Sequence, residues 1–198
     1  VLGAVCATSP EVARAFVEEL LALATVDPTF ADRSASVEVP GSVTCHRQGG
    51  LYRAGRGMLA RERKLLGTAD LVFTGSDPGF RLVCELKINA PYRSDQLRDY
   101  LDSGAFVIGI VRAAGGIDDA VTANPRWLGE VTWADLAPRL EELPLDARYR
   151  AAWLELLRVL RDDGDFDPAP PKLSTVHDRE LIEAVGQGGT GLAQRRDL

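Results

Sequence analysis

With only two histidines and three cysteines, the chain has little from which to assemble a zinc site or a disulfide framework. Cys6, Cys45 and Cys84 are odd in number, far apart and without a CxxC pair, and His46 and His177 are also widely separated. Reduced thiols are expected. Apolar runs are short, and none approaches the roughly 20 residues that a membrane-spanning helix requires. The opening VLGAVCATSP lacks the basic stretch and the length of a secretory leader, so a cytoplasmic protein without a membrane partner is expected. Internal repeats are absent. The glycine-rich segment 186–191 has neither a preceding strand nor a Walker lysine, which excludes a P-loop.

Positive charge is also scarce: 23 Lys and Arg against 29 Asp and Glu give a net charge of −6. A uniformly basic nucleic-acid binder is thereby excluded, because phosphate neutralisation supplies most non-specific affinity. The distribution is uneven, however. Between His46 and Leu66 stand Arg47, Arg53, Arg56, Arg61, Arg63 and Lys64, with Glu62 the single acid. Acids gather later, as at Asp162, Asp163, Asp165 and Asp167. A basic patch on an acidic body and a solvated arginine loop fit the charge pattern equally well.

What the chain does contain is an ordinary globular complement, 45% hydrophobic and 26% charged, in 198 residues, enough for one domain with a full core. Ser9-Pro10-Glu11 predicts a helix start, followed by the stripe Val12, Phe16, Leu20 and Leu23 to about Ala24. A short strand is expected at 37–39. The glycine-bearing segment 46–58 reads as a loop, and a short helix is expected over 58–66. Strands are expected at 69–73 and 80–88 with a turn at 75–79, then a helix from Ser94. Ala105 to Val111 reads as a strand buried on both faces. Thr132 caps a helix through about Leu143, bent at Pro138, and Arg148 to Arg161 forms another helix presenting Trp153, Leu156, Leu157 and Leu160. The order α, β, β, β, α, β and then helices predicts an α/β sandwich around a mixed sheet, over about 1–165, with a looser extension at 166–198.

The chemistry concentrates in the central hairpin. Alternation along a strand puts Glu85 and Lys87 on one face, with Cys84, Leu86 and Ile88 on the opposite, apolar one. A turn centred between Asp77 and Pro78 sets Asp70 directly opposite Glu85. Two carboxylates across a ladder repel unless a cation sits between them, and an all-oxygen site suits Mg²⁺ or Mn²⁺. A one-residue slip would turn Asp70 to the other face. By spacing alone, a solvated surface hairpin with a cross-strand Glu–Lys arrangement also satisfies the pattern.

Three spaced motifs extend this reading. Gly67-x-x-Asp70, Glu85-x-Lys87 and Gln96-x-x-x-Tyr100, with the run CELKINAPYRSDQLRDYLD, resemble the PD-(D/E)XK nuclease superfamily in its RecB-like branch. The motifs span 67–100, and looser similarity reaches about 160. The first motif departs from the family pattern, with Thr68-Ala69-Asp70 in place of Pro-Asp. The resemblance implies a restriction-endonuclease-like fold, a mixed sheet flanked by helices on an αβββαβ core with extra C-terminal helices. It implies Mg²⁺ (or Mn²⁺) held by Asp70, Glu85 and the backbone carbonyl of Leu86, and Lys87 orienting the attacking water. Gln96 and Tyr100, on one helix face, would support Lys87 or touch the nucleic-acid backbone. An acid from the first helix is also implied: Glu11 sits where the resemblance places it, Glu19 is favoured by packing, and Glu18 points away. Arg53, Arg56, Arg61, Arg63 and Lys64 would bind the strand. The implied activity is metal-dependent hydrolysis of DNA to a 5′-phosphate, in defence against foreign DNA. A homodimer or an activating partner protein is left open. The alternative is a non-catalytic nucleic-acid-binding or assembly module on the same fold.

Overall fold

The structure, a computed structural model, describes residues 2–52, 65–76, 79–87 and 91–161. The chain divides into two units, Val1–Asp162 and Asp163–Leu198. The second, and with it the expected extension, lies outside the described residues.

Helix α1 (Leu2–Cys6) leads into α2 (Pro10–Ala24), which starts where the sequence signals it. The Ser9 hydroxyl accepts the Val12 N–H at 3.1 Å, and Pro10 occupies the first turn, where its missing donor costs nothing. Val12, Phe16, Val17 and Leu20 bury one face, while Glu18 pairs with Arg14 on the exposed side. A short α3 (Ala31–Ala35) follows, and residues 37–40 form no strand. Val37 is buried and Glu38 exposed, so the alternation is real. The free edge of the sheet is instead taken by the next segment, β1 (Val43–Tyr52).

That strand corrects the expectation of a loop over 46–52; the rest of the expected loop, 53–58, lies outside the described residues. Residues 46–52 pair with β2 (Leu65–Gly75), in register from Val43 opposite Gly75 to Leu51 opposite Gly67. Gly49 is there for close approach: a Cβ on it would lie 2.6 Å from a Val72 methyl. The helix expected over 58–66 is corrected at its end, where Leu65 and Leu66 belong to β2; residues 58–64 lie outside the described set.

Strand β3 (Arg81–Leu86) pairs antiparallel with β2, Leu71 opposite Cys84 and Thr74 opposite Arg81. After α4 (Ser94–Asp102), β4 (Phe106–Val111) lies parallel to β3. After α5 (Asp119–Thr122), β5 (Trp127–Thr132), a strand the sequence reading missed, lies parallel to β4. The five strands stand in sequence order, an antiparallel half joined to a parallel half. Thr132 caps α6 (Trp133–Leu140), which stops before the expected Leu143, two residues beyond Pro138. The carbonyl of Leu140, at the end of that helix, accepts the indole N–H of Trp153, 2.8 Å away, from α7 (Ala147–Arg161).

Helices cover both faces. The larger core joins α1, α2, α6 and α7 to Leu71, Phe73, Leu82, Cys84, Ile108 and Ile110. The smaller joins α4 and α5 to Leu51, Val72, Val83, Val107 and Trp127. Cys6, Cys45 and Cys84 are free thiols buried in the larger core, and burial pushes the Cys84 thiol up. Among the described residues, no helix is long and apolar enough to cross a membrane.

Phe16 and Phe73, both fully buried with ring centroids 5.5 Å apart, fasten α2 to the sheet. Phe73→Ala should cost about 3–5 kcal/mol in urea denaturation. A loss below about 1 kcal/mol would mean that this contact does not hold the layers together.

Candidate active site

The β2–β3 ladder runs from Thr74 opposite Arg81 to Leu71 opposite Cys84, the register expected from the turn; Asp70 and Glu85 are the next residue on each strand beyond its last pair. The expected alternation also holds in β3. Cys84 and Leu86 pack in the larger core, whereas Glu85 turns to the face covered by α4. Ile88 lies outside the described residues. Glu85 is only 2% exposed, so its carboxylate survives there only with partners.

It has one on each oxygen. Oε1 meets the Lys87 ammonium at 2.7 Å, and Oε2 lies 3.0 Å from the Tyr100 hydroxyl. Lys87 sits just past the end of β3 and is anchored by its own N–H, which donates to the Ile110 carbonyl at 2.8 Å. Its side chain remains 20% exposed, linking the buried acid to solvent. Asp70 is fastened separately, its Oδ2 accepting the Leu86 N–H at 3.0 Å.

Tyr100 is fully buried and serves both core and site. Its hydroxyl reaches the Thr68 carbonyl at 2.8 Å as well as Glu85, and it accepts the side-chain amide of Gln96, one turn earlier on α4. Its one proton is shared between two acceptors. Burial, then the charge of Glu85, pushes the phenol well above its usual range, so it stays a donor. Gly67 admits the ring: a Cβ there would lie 3.3 Å from a Tyr100 ring carbon. The Thr68 carbonyl was not foreseen, because a backbone acceptor leaves no trace in residue identity.

The second and third motifs therefore meet at the Glu85 carboxylate, and the first comes to it through the Thr68 carbonyl on Tyr100. The expected first-helix acid does not join them: Glu11 is exposed in the first turn of α2 and Glu19 is half-buried, on a helix packed in the larger core. Among the described residues, no group of three or more His, Cys, Asp or Glu side chains gathers as a metal cage. Arg53, Arg56, Arg61, Arg63 and Lys64 lie outside the described residues.

A double-mutant cycle between Tyr100→Phe and Glu85→Gln, read by urea denaturation, should return a coupling of about 1–3 kcal/mol. Additivity within about 0.5 kcal/mol would assign the hydroxyl to the Thr68 carbonyl alone. No protein-family model, curated protein or solved structure matches the chain significantly.

Proposed function

We propose that the chain is a divalent-metal-dependent nuclease that hydrolyses phosphodiester bonds of DNA, on a restriction-endonuclease-like fold. The observation that carries this reading is the buried Glu85 carboxylate, held by Lys87 and Tyr100, with Asp70 tied to the N–H of the next residue, Leu86. The element order α2, β1, β2, β3, α4, β4 supports it, being the αβββαβ core that the resemblance implies.

The donor set fits a hard cation. Asp70, Glu85 and the Leu86 carbonyl are all oxygen donors, and Mg²⁺ keeps several waters while using only one or two protein carboxylates. Two acids thus suffice without a third from α2. The chemistry such a cation supplies is Lewis-acid polarisation of the phosphate and a more acidic water. The chain's own groups do the rest. Lys87, partly exposed beside Glu85, is placed to orient the attacking water and to offset charge building at phosphorus. The Gln96–Tyr100 pair keeps Glu85 from turning, and the Leu86 N–H does the same for Asp70. Arg53, Arg56, Arg61, Arg63 and Lys64 supply the only strongly basic stretch from which to hold a strand.

A second reading, a non-catalytic module, is favoured by one observation: protein groups already engage both Glu85 oxygens. Cleavage decides between them. Wild type should cut DNA with Mg²⁺ or Mn²⁺ and not with EDTA, and Lys87→Ala should lower the rate by about 10²–10³-fold. Salt-sensitive DNA binding by folded wild type, without cutting under either metal, would establish the module instead.

A further inference from the structure

Two polar groups outside the three motifs face the same row of the sheet. Across the parallel half, Glu85 pairs with Gly109, and Gly109 pairs with Glu130 of β5. The latter pairing depends on a bulge. Val107 is opposite Trp127, yet two residues later Gly109 is opposite Glu130, so β5 carries one extra residue. Gly129 absorbs it at φ 102°, where a side chain would also strike the Phe30 ring. Without the bulge, alternation would send Glu130 to the side of Leu128, into the larger core. With it, Glu130 shares the face of Gly109 and Glu85.

Gly109 is the floor of this place. A Cβ on it would lie 2.0 Å from the Tyr92 hydroxyl oxygen, so that hydroxyl rests over Gly109, in the row between the two glutamates. Trp127 packs edge-on against the Tyr92 ring, centroids 6.4 Å apart. The Tyr92 hydroxyl and Glu130 Oε1 are both buried without a hydrogen-bond partner among the described residues. Glu130 Oε2 is used, accepting the Gly115 N–H at 2.7 Å. Burial and the charges of Glu130 and Glu85 keep the Tyr92 phenol protonated, hence a donor, and burial raises the Glu130 carboxyl. Each buried group left without a partner costs about 1–3 kcal/mol.

One vacant donor and one vacant acceptor complement an oxygen that accepts one hydrogen bond and gives one. We propose that Tyr92 and Glu130 form a subsite for a sugar hydroxyl of the nucleic-acid strand bound at Glu85 and Lys87. This rests on the metal-dependent nuclease reading and defines its strand by a free hydroxyl there, either the terminal 3′-hydroxyl of DNA or, with RNA in place of DNA as substrate, a ribose 2′-hydroxyl. Sites built around a substrate hydroxyl reject analogues that lack it, because the protein groups are then left unpaired.

Fluorescence anisotropy in Ca²⁺ separates the two sources. One arm compares oligonucleotides ending in 3′-hydroxyl and 3′-deoxy sugars; the other compares a ribose and a deoxyribose at successive single positions. Wild type should favour the hydroxyl in one arm by at least about tenfold. Tyr92→Phe should erase that preference without lowering the melting temperature, since it removes a hydroxyl that had no partner. Gly109→Ala, which expels the Tyr92 hydroxyl, should erase it too. Strand binding without preference in either arm, or a preference that survives Tyr92→Phe, overturns the subsite alone. Failure of folded wild type to bind any strand overturns both the subsite and the nuclease reading.

Discussion

A carboxylate removed from water must be compensated on the spot, and Glu85 imposes that requirement on the whole middle of the chain. Its partners come from three directions: Lys87 just beyond its own strand, Tyr100 from α4, and behind Tyr100 the Gln96 amide and the Thr68 carbonyl. The docking of α4, the β2–β3 register and the course of the chain leaving β3 therefore answer to one acid. A polar network of this kind is stable only when complete, which links local order at the site to the packing of the smaller core.

The two faces of the sheet divide the labour. The larger core, with Phe16 on Phe73 and the α6–α7 pair closed by Trp153, carries most of the apolar burial. The smaller face can then give positions to Glu85 and Glu130 that an apolar residue would otherwise fill. It does so with a repeated device. A tyrosine is laid over a glycine of the sheet, Tyr100 over Gly67 and Tyr92 over Gly109, so that each phenol oxygen reaches the strand surface. Glycine here provides room for a ring, and flexibility has no part in it.

That device explains what the sequence made legible. The helices α2 and α4 and the strand β4 announce themselves through the Ser9-Pro10 cap, the helix start at Ser94 and an unbroken apolar run. Asp70, Glu85 and Lys87 were legible because a short turn sets the hairpin register locally. β1 was not, since Gly49, Gly50 and the neighbouring arginines have the composition of a loop, while the reason for Gly49 is a Val72 methyl on the adjacent strand. Val37 and Val39 alternate like a strand but pair with none of the five strands. β5 was hidden because its bulge at Gly129 interrupts the alternation. Glu130 comes beside Gly109, over which the Tyr92 hydroxyl lies, through a parallel pairing whose register no short turn encodes.

The strand order bears on how such a protein comes to be folded. Five strands lie side by side in the order of synthesis, but the links between them differ in kind. The link from β2 to β3 is the short stretch 76–80, whereas β3 to β4 and β4 to β5 each require a crossover through a helix. Chain-closure entropy favours the hairpin first, and the parallel strands must wait for α4 and α5. Asp70 and Glu85 are thus brought together in the early half, before Tyr100, Gly109 and Glu130 arrive. In that interval two like charges face each other across a young ladder with Lys87 alone at hand to offset them. The central hairpin is the place where assembly should respond most to ionic strength and to divalent cations.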